Sequence, residues 1–362
     1  MNYRNTVLLA TEAMAASGTK IIDLTLSDVI SRLSLDIYAV NSAAVPTAHP
    51  AKIISKIELV DGSDVLWGLS GPEALALMFY QNKRTPIVLN NYISGEWARC
   101  IMDINFGRIL YDKQLAFDPK KFKNPQLKIS YTLLNGGAAP GSGGFKVMAD
   151  VFDQKEVAPV GFLSAKEIIS YTPASGANEY IDIPTDRTLK SLIVFARKLK
   201  TFPIVDVSSV KLSEDNDKRI IVEDSMSQIQ KLFHGQYPDL TEHFQKSGSA
   251  AAERLYCMTS YIGCIAAMNR EAAVNVFTAT TPSSGFTDIS GGTGASIHGI
   301  INGYAPFGSL ILPLGDPADI DDWYDVSKVG KLEMRIKAGT GVTADSTCEV
   351  VTEQLREYAA MA

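Results

Sequence analysis

Ile22-Asp23-Leu24, followed by Ile30, Leu33 and Leu35, returns as Ile181-Asp182-Ile183, followed by Leu189, Leu192 and Val194, at an offset of 181 − 22 = 159 residues. Further pairs keep the same order. Ile57-Glu58-Leu59, the turn Asp61-Gly62-Ser63-Asp64 and Val65-Leu66 match Val210-Lys211-Leu212, the turn Glu214-Asp215-Asn216-Asp217 and Ile220-Ile221. Later, Phe106-Gly107 matches Phe307-Gly308, and Leu127-Lys128-Ile129 matches Leu332-Glu333-Met334. Apolar alternation alone is common to all β-rich chains. Collinear matches that carry their own turn chemistry point instead to a duplicated domain.

The offset grows by roughly fifty residues after Pro238, so the second copy carries an insertion that the first lacks. Its expected bounds are 239–305, against 83–105 in the first copy. Segments 30–38, 127–133, 145–152, 189–196 and 331–337 alternate or run apolar with β-branched residues and read as strands. Turn residues punctuate them densely, including Asn135-Gly136-Gly137 and Pro140-Gly141-Ser142-Gly143-Gly144. Helices are expected at 72–82 and 225–235, the same relative place in each copy. Pro72 and the acidic Glu73 suit the first turn of such a helix.

The fold expected is all-β, two tandem eight-stranded jelly rolls, with short helices and a long inter-strand insertion in the second roll. The boundaries read as an N-terminal arm or helix at 1–18, a first roll at 19–160, a linker at 161–175 and a second roll at 176–362. At 362 residues each roll is large enough to bury its own core.

Composition narrows the function. A net charge of −6 gives no footprint for phosphate backbones, so direct nucleic-acid binding is not expected. Four cysteines, Cys100, Cys257, Cys264 and Cys348, have no metal-ligand spacing and do not read as a disulfide framework. No apolar stretch reads as a membrane span or a signal peptide, and synthesis in a cytoplasm is expected. His49, His234, His243 and His298 are scattered, so no metal or cofactor is expected. The run Gly136 to Gly144 lacks phosphate-loop spacing and reads as a flexible connection, and no G-x-S-x-G elbow occurs. The acidic pairs Asp321-Asp322 and Glu223-Asp224 and the basic stretches at 120–123 and 197–200 read as solvated faces.

The tandem architecture, the Ile30, Leu33, Leu35 strand opening, Ile57 to Gly62 leading to a helix, and Asp118-Pro119 through Leu127 and Ile129 together resemble one family. It is the double jelly-roll major capsid proteins of tailless, membrane-containing bacteriophages, adenoviruses and related viruses. The resemblance implies a structural protein without catalysis, made in a host cytoplasm and residing in the virion. Three copies would form a pseudo-hexagonal capsomer, and capsomers an icosahedral shell over an internal membrane, with minor capsid and penton proteins as partners. A tandem-jelly-roll glycan hydrolase or sugar-binding protein, or a minor capsid or spike protein of the same fold, is the alternative. The resemblance further implies a surface tower or trimer clasp at 239–305, where Leu255, Tyr256, Met258, Tyr261 and Ile262 are too apolar to face water and are expected to be buried against the roll or against a neighbouring subunit. Leu8, Leu9 and Met14 are expected on one face of an N-terminal helix that docks under neighbouring capsomers or touches the membrane.

Overall fold

The computed structural model describes residues 2–154, 156–247, 253–269, 277–291 and 296–358. Nine strands come first: β1 (Tyr3–Ala13), β2 (Ser17–Asp23), β3 (Ile30–Asn41), β4 (Ile54–Asp61), β5 (Asp64–Leu69), then helix α1 (Gly71–Asn82), then β6 (Val88–Tyr92), β7 (Trp97–Asn105), β8 (Pro125–Thr132) and β9 (Pro140–Phe152). The second half opens with β10 (Gly161–Tyr171), β11 (Asn178–Ile183), β12 (Leu189–Arg197), the one-turn helix α2 (Pro203–Asp206), β13 (Val207–Glu214), β14 (Arg219–Ser225) and α3 (Met226–His234). Six strands then fill the insertion: β15 (Leu240–Ser247), β16 (Glu253–Tyr256), β17 (Thr259–Asn269), β18 (Phe277–Ser283), β19 (Phe286–Gly291) and β20 (Ser296–Pro306). The chain ends with β21 (Ser309–Pro313), β22 (Leu332–Ala338) and β23 (Thr347–Glu357).

Strand order shows the duplication directly. The first half contains the neighbour orders β1-β9-β3-β7 and β2-β8-β4-β5, and the second contains β10-β23-β12-β21 and β11-β22-β13-β14. Number the eight strands of each half in chain order, with β6 and the insertion set aside, and both halves read 1-8-3-6 and 2-7-4-5. This is the two-sheet interleaving of a jelly roll, repeated. The fold is a double jelly roll.

Between the sheets of the first roll, Leu33, Leu35 and Ile37 of β3 meet Ile57 and Leu59 of β4 and Leu127 and Ile129 of β8. The intervening residues of β3 face outward and are charged or polar. Arg32 pairs with Asp103 at 3.1 Å and with Asp150 at 2.7 Å, and Asp36 pairs with Arg99 across the β3–β7 register. One face apolar and one ion-paired is the expected alternation of a half-solvated antiparallel sheet.

The second roll breaks that pattern, and the break joins the halves. On β12, Leu192 and Val194 belong to the core of the second roll, whereas Ile193 and Phe195 belong to the core shared with the first. The sheet is therefore buried on both faces, which explains why β12 runs apolar without alternation from Leu192 to Ala196. What covers its far face is α1, whose residues from Gly71 to Tyr80 are all buried. Gly71 cannot be replaced cheaply: a Cβ there would lie 2.2 Å from the Ala51 carbonyl oxygen.

Several expectations are corrected. The segment 1–18 is neither arm nor helix: β1 is the first strand of the first roll, paired with β9 from Tyr3↔Phe152 to Ala13↔Gly144. The expected linker 161–175 contains β10, the first strand of the second roll, paired with β23. Half of the glycine-rich connection is strand, because Pro140 to Gly144 open β9; a Cβ on Gly143 would come within 2.6 Å of the Tyr38 carbonyl oxygen. Phe106-Gly107 and Phe307-Gly308 are not equivalent, since the first pair follows β7 and the second precedes β21. Met1, Lys155, 248–252, 270–276, 292–295 and 359–362, parts of the expected arm, first roll, insertion and second roll, lie outside the described residues.

If α1 is the common core element, truncating it weakens both rolls together. Leu75 is fully buried, and Leu75→Ala is expected to cost about 2–5 kcal/mol. Chemical denaturation followed by intrinsic fluorescence should show one transition shifted as a whole; a variant that loses one roll and leaves the other unmoved contradicts the shared core.

Candidate assembly surfaces and the junction between the rolls

Helix α1 lies along β23. Near its start, Glu73 and Glu349 bring their carboxyls together; near its end, the Gln81 amide donates to Glu353 at 2.7 Å. Eight residues of helix rise about 12 Å, and four residues of strand span about 13 Å, so both contacts fit one parallel alignment. Glu353 is almost wholly buried and also accepts from Lys190 Nζ and from Ser191 Oγ, each at 2.8 Å. Its charge is balanced within hydrogen-bond distance, which makes burial tolerable. Tyr80 adds a further tie between the rolls through Ser309, with 2.8 Å between the hydroxyl oxygens.

At the other end the balance is less complete. Glu349 is desolvated, and this outweighs Arg197, whose Nη2 lies 2.9 Å from its Oε2; Glu73 and Glu167 add like charge. Burial and these neighbours raise the Glu349 carboxyl to about 7. Glu73 Oε2 accepts from the Ser70 amide at 2.6 Å and so closes the N-terminal turn of α1.

A second buried carboxylate fastens the insertion. Glu242 of β15 accepts from Asn90 Nδ2 at 2.7 Å and from the Met258 amide at 2.6 Å, and lies 3.3 Å from His49 Nε2. The other ring nitrogen of His49 accepts from the Ala51 amide at 3.1 Å, so Nε2 carries the hydrogen and donates to Glu242. His49 and Asn90 belong to the first roll. β15 also pairs in parallel with β6, from His243↔Leu89 to Lys246↔Tyr92. The sheet of the first roll thereby continues as β7-β6-β15-β20-β17. Lys246, with no exposure, is matched by Glu253 at 2.6 Å. The insertion of the second roll is thus built onto the first, and β16, β19 and β18 form a small sheet beside it.

The residues singled out from the sequence fall into two groups. Leu8 and Leu9 pack partly buried against the first core, and Met14 is buried in it, as parts of β1 and its exit rather than of a docking helix. Leu255 and Met258 are fully buried inside the chain, and Tyr256 and Ile262 pack against the core of the insertion. Tyr261 alone belongs to a surface cluster, stacked between Phe202 at 5.2 Å and Tyr304 at 4.6 Å, with His234 on the far side of Tyr304 at 4.2 Å. Beside it, Leu199, Phe202, Ile204 and Val205 are exposed by 41, 38, 37 and 36%. No expectation from the sequence covered the run Phe202-Pro203-Ile204-Val205, which directly follows the basic stretch 197–200. Cys100, Cys257 and Cys348 are buried free thiols and Cys264 is exposed. Among the described residues no group of three or more His, Cys, Asp or Glu side chains is placed to hold a metal ion, and no helix is long and apolar enough to cross a membrane.

No family model matches the chain, and no curated protein matches it by sequence. Solved structures do. The major capsid protein of Sulfolobus turreted icosahedral virus superposes with a TM-score of 0.60 at 13% identity, covering 100% of both chains. The major capsid protein P2 from bacteriophage PM2 gives 0.57 at 9% identity, covering 99% of this chain and 100% of that one. VP54 of PBCV-1, fitted into a reconstruction of the virophage Sputnik, gives 0.60 at 10% identity over 98% and 94%. This chain has the double jelly-roll fold of viral major capsid proteins. The likeness runs end to end and includes both rolls.

Two outcomes test the junction. Glu242→Ala leaves the Asn90, Met258 and His49 donors without their acceptor, at a cost of about 3 kcal/mol or more; hydrogen exchange should quicken in β15 and β6 and stay unchanged in β11 to β14. For Glu349 the raised folded value means that its stabilising contribution is complete below the ordinary carboxylate range and is lost as pH rises through about 7. Glu349→Gln should flatten the fall in stability between about pH 5 and 8, measured by urea titration; an unchanged slope contradicts the assignment.

Proposed function

We propose that this chain is a viral major capsid protein that forms trimeric, pseudo-hexagonal capsomers and assembles through them into an icosahedral shell. One observation carries the reading: the identical eight-strand order of both rolls, in a chain that matches major capsid proteins along its full length. Three copies of a doubled domain present six similar edges, so a three-fold assembly fills a six-fold lattice position. The junction supports this use, because a capsomer wall needs the two rolls held at one fixed angle. Here α1 and the insertion tie them at both ends. In this reading the chain resides in the virion after synthesis in a host cytoplasm, its main partner is itself, and minor capsid and penton proteins complete the shell.

The test is the mass in solution. Size-exclusion chromatography with light scattering of the purified chain should give three times the monomer mass, with larger assemblies at higher concentration. A monomer at every concentration, or a monomer that cleaves or binds glycans, overturns the proposal.

A further inference from the structure

Both rolls and the insertion meet around one cavity of about 520 Å3. His49 and Lys52 come from the first roll, segment 196–200 and Glu349 from the second, and Tyr256 and Ser284 from the insertion. A volume of this size falls within the range of small-molecule sites. Its charge differs from that of the chain: Lys52, Arg197, Lys198 and Lys200 line it against Asp345 and Glu349, four positive charges to two negative, where the whole chain carries −6. Tyr256, Phe307 and Leu199 supply an apolar wall.

The cationic groups retain unused capacity. Lys198 Nζ is committed to the Gly341 carbonyl at 2.6 Å. Arg197 rests on the Phe195 ring, 4.5 Å from its centroid, and is ion-paired with Glu349. Yet its Nε and Nη2 are buried without a well-aimed hydrogen-bond acceptor among the described residues, and Glu349 Oε2 likewise has no aligned donor. Buried donors of this kind are normally satisfied. Lys52 faces both Arg197 and Glu349 in this cavity. Lys52 and Lys200 are both exposed, so the cavity is open to solvent on their side.

We propose that this cavity binds a small organic anion, an oxyanion headgroup of the phosphate or carboxylate class on an apolar body, with Lys52, Arg197 and Lys200 holding the headgroup. Tyr256 and Phe307 would pack on the body. A ligand there contacts the first roll, the second roll and the insertion at once, and so stabilises the junction by mass action. Glu349 is faced by Arg197 from β12, Glu73 from α1, Glu167 from β10 and Lys52 from the turn after β3. When Glu349 takes up a proton the cavity loses one of its two negative charges, so binding of an anion whose own charge is constant over this range, such as benzoate, strengthens from about pH 8 to about pH 6.

Isothermal titration calorimetry of the full chain, at an ionic strength fixed with chloride, uses phenyl phosphate, benzoate and inorganic phosphate as probes. Saturable binding is expected for phenyl phosphate or benzoate, tighter than for inorganic phosphate, and the stronger of the two identifies the headgroup. Lys52→Ala with Lys200→Ala should weaken it about tenfold or more, and Lys200→Ala alone, on an exposed loop, in the same direction. No saturable binding at millimolar probe, or binding unaltered in these variants while their melting temperature is unchanged, overturns the site.

Discussion

The rest of the molecule depends on one sheet being buried twice. β10-β23-β12-β21 faces its own roll on one side and α1 on the other, so α1 is apolar around most of its surface and the sheet is largely apolar on both faces. Burying that much backbone and side chain without water requires every charge on the far face to be matched. Glu353 is matched by Lys190, Ser191 and Gln81. Glu349 is matched less well, and its carboxyl rises toward neutrality in consequence. The same face therefore contributes both a rigid joint and a titratable one.

Symmetry between the rolls ends at this joint. The corresponding sheet of the first roll carries its ion pairs outward, with Arg32, Asp36, Arg99, Asp103 and Asp150 in a ladder. The equivalent helices diverge in the same sense: α1 is buried from Gly71 to Tyr80, whereas α3 leaves Leu232 67% exposed. A duplicated domain has in this way acquired one inner and one outer member. The insertion reinforces the difference, since it springs from the second roll and adds its strands to the sheet of the first.

Much of this was legible in the residues. Ile57-Glu58-Leu59 and Val210-Lys211-Leu212 alternate because each strand has one core face, and their acidic turns lie between paired strands in both rolls. The first strand of each roll was not legible. β1 carries register shifts between Val7 and Leu9 and between Leu9 and Glu12, which break the two-residue period. β10 begins with Phe162, Leu163, Ser164 and Ala165 all buried, so it has no alternation to read, and it follows Pro159 where a linker is the natural reading. The seating of the insertion was hidden for a different reason. Its decisive contacts, Glu242 with His49 and Asn90, join residues 193 and 152 positions apart and leave no local pattern. Leu255 and Met258 are too apolar for water, and of the two expected places for them, within the chain or against a neighbouring subunit, they are buried within the chain.

Two jelly rolls locked at a fixed angle make a building block whose use is seen in its outline. Negative-stain electron microscopy of the purified chain at high concentration tests this most directly. The account predicts particles of three copies with a six-sided outline, and closed shells or lattice fragments built from them. Isolated two-lobed monomers at every concentration would contradict it.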